Sequence, residues 1–145
     1  MAVRFSELTR FENMLKNKKN LLLIGIALLV GYIVYDSSTQ PTVNDLEGGF
    51  REVAMYRNEN NTGPIVRVYA VTVDDTLSKD MLHYGNLMPY NKYGSTTVYF
   101  FDSAKPTPKT LAAREPHFDA QFSLGCIAVY RKDANGQVSL DHSPF

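Results

Sequence analysis

The sequence predicts an α+β protein: one N-terminal transmembrane helix, then a small, mostly antiparallel sheet of about five strands with one packed helix. Three observations carry this. Residues 21–35, LLLIGIALLVGYIVY, hold no charge and no proline. Further on, the β-branched and aromatic segments 65–73, 96–101 and 126–132 alternate with turn-forming clusters. Between the first two of these segments lies the helical pattern of the outer part, residues 76–88.

The apolar run alone reaches roughly 22 Å as a helix, somewhat less than the ~30 Å hydrocarbon core. Its flanks extend it: Lys18 and Lys19 snorkel on one side, and Tyr32 and Tyr35 suit the interface on the other. We expect residues 20–35 to span, with Leu21, Leu22, Ile24, Ile26, Leu28, Leu29, Val30, Ile33 and Tyr35 facing lipid. Five Lys/Arg stand against two Asp/Glu before the run, and ten against thirteen after it. Basic residues stay on the cytoplasmic side of a span. The N-terminus is therefore expected inside and the C-terminal domain outside, periplasmic or extracellular, on a single-pass protein of the cell inner membrane. After Tyr35 the chain reads Asp36-Ser37-Ser38-Thr39, with no clear small-x-small cleavage site, which favours an uncleaved anchor over a signal peptide.

Residues 1–19 form a basic cytoplasmic segment. Val3, Phe5, Leu8, Phe11 and Leu15 fall roughly on one helical face, and Thr9 with Glu12 has capping-box spacing. Within the span, Ala27 and Gly31 make a small-xxx-small pair, the spacing of a close homodimer seam. Residues 36–49 are polar, contain Pro41 and end in Gly48-Gly49, so they read as a linker that supplies nothing to a core.

The folded domain is expected over residues 50–145. Residues 50–57 and 65–73 read as a hairpin around a turn-rich cluster, in which Asn60-Asn61-Thr62 matches the glycosylation sequon. Asp74-Asp75-Thr76 can cap a helix with Leu77, Met81, Leu82 and Tyr84 inward, stopped by Pro89. Residues 96–101 are apolar on both faces, the mark of a central strand. The Asn135-Gly136 turn joins 126–132 to a returning strand.

A search for chemistry is mostly negative. His83, His117 and His142 are far apart and belong to no ligand-spaced pair, so no metal site is expected. The strand–helix junction is acidic and lacks glycine, which excludes a phosphate cradle, and no cofactor is expected. The mildly acidic outer part excludes nucleic acid. The single cysteine, Cys126, opens an apolar strand and reads as a small buried hydrophobe. Asp74, Asp75 and Asp80 read as acids complementing a helix start.

Two surfaces remain. Residues 84–94 are rich in Tyr and Asn, with Tyr84, Tyr90 and Tyr93 as contact candidates. Residues 103–116 form a long loop carrying Lys105, Lys109 and Arg114, either a partner strip or a cover over a sheet edge. The expected function is accordingly non-enzymatic: an accessory or structural subunit of an envelope or membrane complex, binding a protein partner. The alternatives are an envelope ligand sensor, a toxin-inhibiting protein, or a hydrolase using His83, His117 and Asp119.

Overall fold

The computed structural model describes residues 17–59, 62–76 and 79–145. The chain divides into two compact units, Met1–Pro41 and Thr42–Phe145.

In the first unit, helix α1 runs Lys18–Thr39, 22 residues, longer at both ends than the expected span. Asn17 caps it, its side-chain oxygen accepting from the Lys19 N–H at 3.2 Å. Near the other end the Ser38 and Thr39 hydroxyls donate back to carbonyls of Val34, Tyr35 and Asp36. These polar residues extend the helix without adding apolar surface. Twenty-two residues reach ~33 Å, while the apolar run within the helix keeps its reach of roughly 22 Å and leaves the ends to its Lys and Tyr flanks. No residue of α1 is buried, and Leu22 and Leu28 are 66% and 71% exposed. One helix near the N-terminus is thus long and apolar enough to cross a membrane. The expectations for the amphipathic segment, from Val3 to Leu15, lie outside the described residues.

The second unit holds strands β1 (Arg51–Arg57), β2 (Val66–Val73), β3 (Ser95–Asp102), β4 (Cys126–Lys132) and β5 (Val138–His142), with helix α2 (Met81–Leu87) between β2 and β3. They form one sheet in the order β1-β2-β3-β4-β5. All pairings are antiparallel except β2 with β3. The exception follows from α2, a crossover that returns the chain to the end of the sheet where β2 began. The β4–β5 turn is tied by Asp133, whose Oδ1 accepts N–H bonds from Asn135 and Gln137, while Gly136 takes φ 81°.

Side chains alternate across a strand, so each strand feeds both faces of the sheet. On one face Tyr69, Val71, Val73, Val98, Phe100, Ala128 and Tyr130 meet Met81 and Tyr84 of α2. Val43, Leu46 and Phe50 also pack here. Phe50 stacks on Tyr84 with ring centroids 5.0 Å apart, and both meet Phe100 edge-on. Residues 42–49, read above as linker, therefore belong to the folded unit. They fold because Asp45 accepts from the Thr42 N–H and hydroxyl, and because the Gly48 carbonyl accepts from the Asp74 and Asp75 N–H groups.

That last contact also corrects the helix start. With their N–H groups tied to Gly48, Asp74 and Asp75 continue the strand's exit, and Asp80 becomes the residue before α2. Its carboxylate accepts from the Glu47 N–H at 3.0 Å. Met81, Tyr84 and Gly85 face inward, whereas Leu82 is 38% exposed. Leu77 lies outside the described residues.

On the opposite face Val68, Ala70, Tyr99, Phe101, Cys126 and Val129 form a second cluster with Phe118. Residues 103–124 cover it. Pro108 is fully buried, and Leu111 and Phe122 pack against the cluster. The long loop is a layer over a face of the sheet rather than over an edge. β3 is central and buried on both sides, as its apolar sequence requires.

Candidate functional site

Pro89 ends α2, and the chain then turns across the end of the sheet where β2 and β3 begin. The loop is fastened at both ends. The Thr96 hydroxyl donates to the Pro89 carbonyl at 3.0 Å, and the Ser95 N–H donates to the Ile65 carbonyl at 2.9 Å. Gly94 packs so closely that a Cβ there would sit 2.6 Å from the Ile65 oxygen. Tyr90 is half-buried; its hydroxyl donates to the Ala134 carbonyl, and the Lys132 ammonium lies 4.4 Å from its ring centre. Tyr93 is 66% exposed and holds φ 68°, a conformation that costs a non-glycine residue energy. Lys92 lies over its ring. The loop thus fixes one tyrosine and presents the other.

Tyr84 does not join them. It is 3% exposed in the aromatic cluster, and burial pushes its hydroxyl up to about 12. Its inclusion among the contact residues is corrected: the helical stripe that buries it dominates over the composition of the segment around it.

Sequence reading missed the cations beside this loop. Strand register sets Arg57 opposite Arg67, Arg67 beside Thr96, and Thr96 opposite Lys132. All four residues point to the face that carries α2. Arg67 is half-buried, and its Nη1 is enclosed without a hydrogen-bond partner among the described residues. These residues come from three strands, so no local motif announces them.

Lys105, Lys109 and Arg114 are all exposed, on the layer over the other face, and the structure does not bring them to the tyrosines. The Lys105 ammonium donates to the Leu124 carbonyl at 3.0 Å. Lys109 borders an open hollow of about 510 Å³ with Thr107, Asp119 and Phe122. A second hollow, of about 320 Å³, lies between Tyr99, Glu115, Pro116, Arg131 and Phe145. Arg131 is paired there with Asp141 at 2.7 Å.

The trio considered for hydrolysis is not assembled. His83 is on α2, paired with Asp80 at 3.3 Å. His117 is buried beneath the other face, its Nδ1 2.9 Å from the Ala112 carbonyl and its ring 5.9 Å from that of Tyr99. The sheet separates them, and proton transfer needs hydrogen-bond reach or one bridging water. Asp119 caps a 3-10 turn, Ala120–Gly125, accepting from the Gln121 N–H. Cys126 is 7% exposed, and burial pushes its thiol up to about 12, away from nucleophile behaviour. Asp74 is held below the usual carboxylate range by hydrogen bonds from Ser103 and Arg51. Among the described residues no three His, Cys, Asp or Glu side chains group to hold a metal.

No family model, curated protein or solved structure matches this chain.

Proposed function

We propose that this chain is a single-pass membrane-anchored protein whose outer unit binds a protein partner, as an accessory or structural subunit of an envelope or membrane complex. The observation that carries the reading is α1: 22 residues, apolar through their middle and buried nowhere in the fold, joined to a unit with its own two-sided core. So much uncovered apolar surface needs lipid to cover it. The basic residues before the apolar run set the N-terminus in the cytoplasm and the sheet domain beyond the membrane. Tyr93, held outward on a fastened loop, supplies amphipathic contact area at little entropy cost.

The test is a photo-crosslinking amino acid at position 93 in intact membranes. Discrete adducts of higher mass, not formed from position 138 on the edge strand, are expected. A protein that gives no adduct and runs alone as a monomer after mild detergent extraction contradicts the proposal.

A further inference from the structure

We infer that the hollow between Tyr99, Glu115, Pro116, Arg131 and Phe145 binds the ammonium end of an alkyl chain, the group carried by a lysine side chain or a free aliphatic amine. The site lies on the face opposite α2 and does not involve the tyrosine loop. Tyr99 pairs with Val129 in the sheet, and Arg131, two residues further along β4, points to the same face. These two residues give the hollow its floor. One wall comes from the covering layer. His117 and Phe118 pack their rings against Tyr99, with centroids 5.9 and 4.9 Å away, which leaves Glu115 and Pro116 at the margin. The other wall is the tail. The Ser143 N–H donates to the Ile127 carbonyl at 2.9 Å, and the Phe145 ring then meets Phe118 edge-on at 5.6 Å. Phe145 is thus held in place while 64% exposed.

The charges select a cation. Arg131 is paired with Asp141 at 2.7 Å, so those two offset one another. Glu115 is exposed and has no hydrogen bond or ion pair among the described residues, which leaves its carboxylate as the uncompensated charge of the hollow. The Tyr99 hydroxyl senses the same balance. Burial is the main cause that pushes it up, Glu115 raises it further, and Arg131 lowers it by less than Glu115 raises it. That hydroxyl has no partner among the described residues and is not enclosed, so it opens where Tyr99 lines the hollow. An ammonium donates to both the Glu115 carboxylate and the Tyr99 hydroxyl oxygen.

The walls select the stem. Pro116 and the Phe145 ring offer apolar surface beside the carboxylate, and an aromatic face also attracts a cation. The hollow holds about 320 Å³ and is open to solvent. That is the lower end of the size of ligand sites, enough for an ammonium on a short alkyl stem and too little to enclose a large ligand.

The experiment uses the full chain in neutral-detergent micelles with Nα-acetyl-lysine N-methylamide, read by saturation-transfer NMR. The norleucine analogue has the same stem without the ammonium, and n-pentylamine represents a free amine. Saturable binding of an ammonium probe is expected with Kd on the order of 1 mM, the strength of so small a ligand. The norleucine analogue should bind at least several-fold more weakly. Glu115→Gln is expected to weaken ammonium binding about tenfold, the loss of one charge-assisted contact. Phe145→Ala should weaken it several-fold. Glu52→Gln removes the same charge from the opposite face, where Glu52 pairs with Val71, and should leave binding unchanged. Protection of Cys126 from alkylation verifies that each variant is folded. Binding of the lysine derivative admits a protein side chain as the natural occupant; binding of n-pentylamine alone restricts the source to free amines. Absence of binding by both ammonium probes, equal binding of the norleucine analogue, or equal losses in Glu115→Gln and Glu52→Gln overturns the inference, and none of these outcomes bears on crosslinking from position 93.

Discussion

Gly85→Ala should destabilise the outer unit, although the same change in most helices stabilises. Gly85 lies within α2 and takes an ordinary negative φ, so its backbone suits alanine. Helix propensity alone would favour the variant by about 1 kcal/mol. The added Cβ, however, would collide with Cδ2 and Cγ of Tyr130 and sit 2.6 Å from its Cε2. Carbon atoms pack best at ~3.5–4.0 Å, so the ring or the helix must move by about 1 Å. Tyr130 is fully buried and its hydroxyl donates to the Asn86 side chain at 2.9 Å, so it has no free direction. Overpacking of this kind costs about 1–3 kcal/mol, and loss of the hydrogen bond adds about 1. The net expectation is a destabilisation of about 1–3 kcal/mol. Urea unfolding of the full chain in detergent, followed by tyrosine emission, measures it as a lower midpoint at unchanged slope. Tyr130→Phe, which loses only the hydrogen bond, should cost about 1 kcal/mol. A Gly85→Ala midpoint equal to or above that of the parent would refute the reasoning, since helix propensity would then outweigh the contact.

Three further outcomes follow from the same structure. The buried Cys126 thiol, pushed from 9.0 up to about 12, should react with iodoacetamide at pH 8 about 10³-fold more slowly in the folded chain than in urea; rates within tenfold of each other would place the thiol at the surface. Burial raises Tyr84 and Tyr99 from 10.0, and Cys126 from 9.0, each to about 12, so the unfolded chain ionises first as pH rises. Their stabilising contribution is complete below pH 9 and is lost between about 9 and 12, at about 1.4 kcal/mol per pH unit for each group; a urea midpoint that holds constant from pH 9 to 11 would contradict the packing of both faces. Tyr93→Gly relieves a positive φ while losing little packing, so stability should stay within about 1 kcal/mol of the parent, yet crosslinking from the neighbouring position 92 should fall.

What the sequence revealed depended on whether the controlling force was local. Residues 21–35, the hairpin turn at Asn135-Gly136 and the doubly apolar β3 are each written in a few consecutive residues, and each stands where expected. The start of α2 was misplaced because a carbonyl 26 residues earlier, at Gly48, occupies the N–H of Asp74. Val43 and Leu46 looked like linker because two apolar residues among polar ones show no period, and their burial is visible only once Phe50 and Tyr84 stack. The parallel β2–β3 pairing likewise waits on where the crossover lands. At the candidate site, Tyr90 and Tyr93 were legible from composition. The row of Arg57, Arg67 and Lys132 was not, because it exists only through register between strands as much as 75 residues apart in the chain. Tyr84 belonged to the same tyrosine-rich segment and was lost to the core by its helical position.

In the proposed arrangement α1 stays attached to the chain and embedded in the membrane. Its most direct test is the full chain carrying a different tag at each end, with membranes washed in high salt at neutral pH. A product retaining both tags, sedimenting with the membranes and released only by detergent, is the expected result. A product lacking the N-terminal tag, or a doubly tagged product in the soluble fraction, would contradict it.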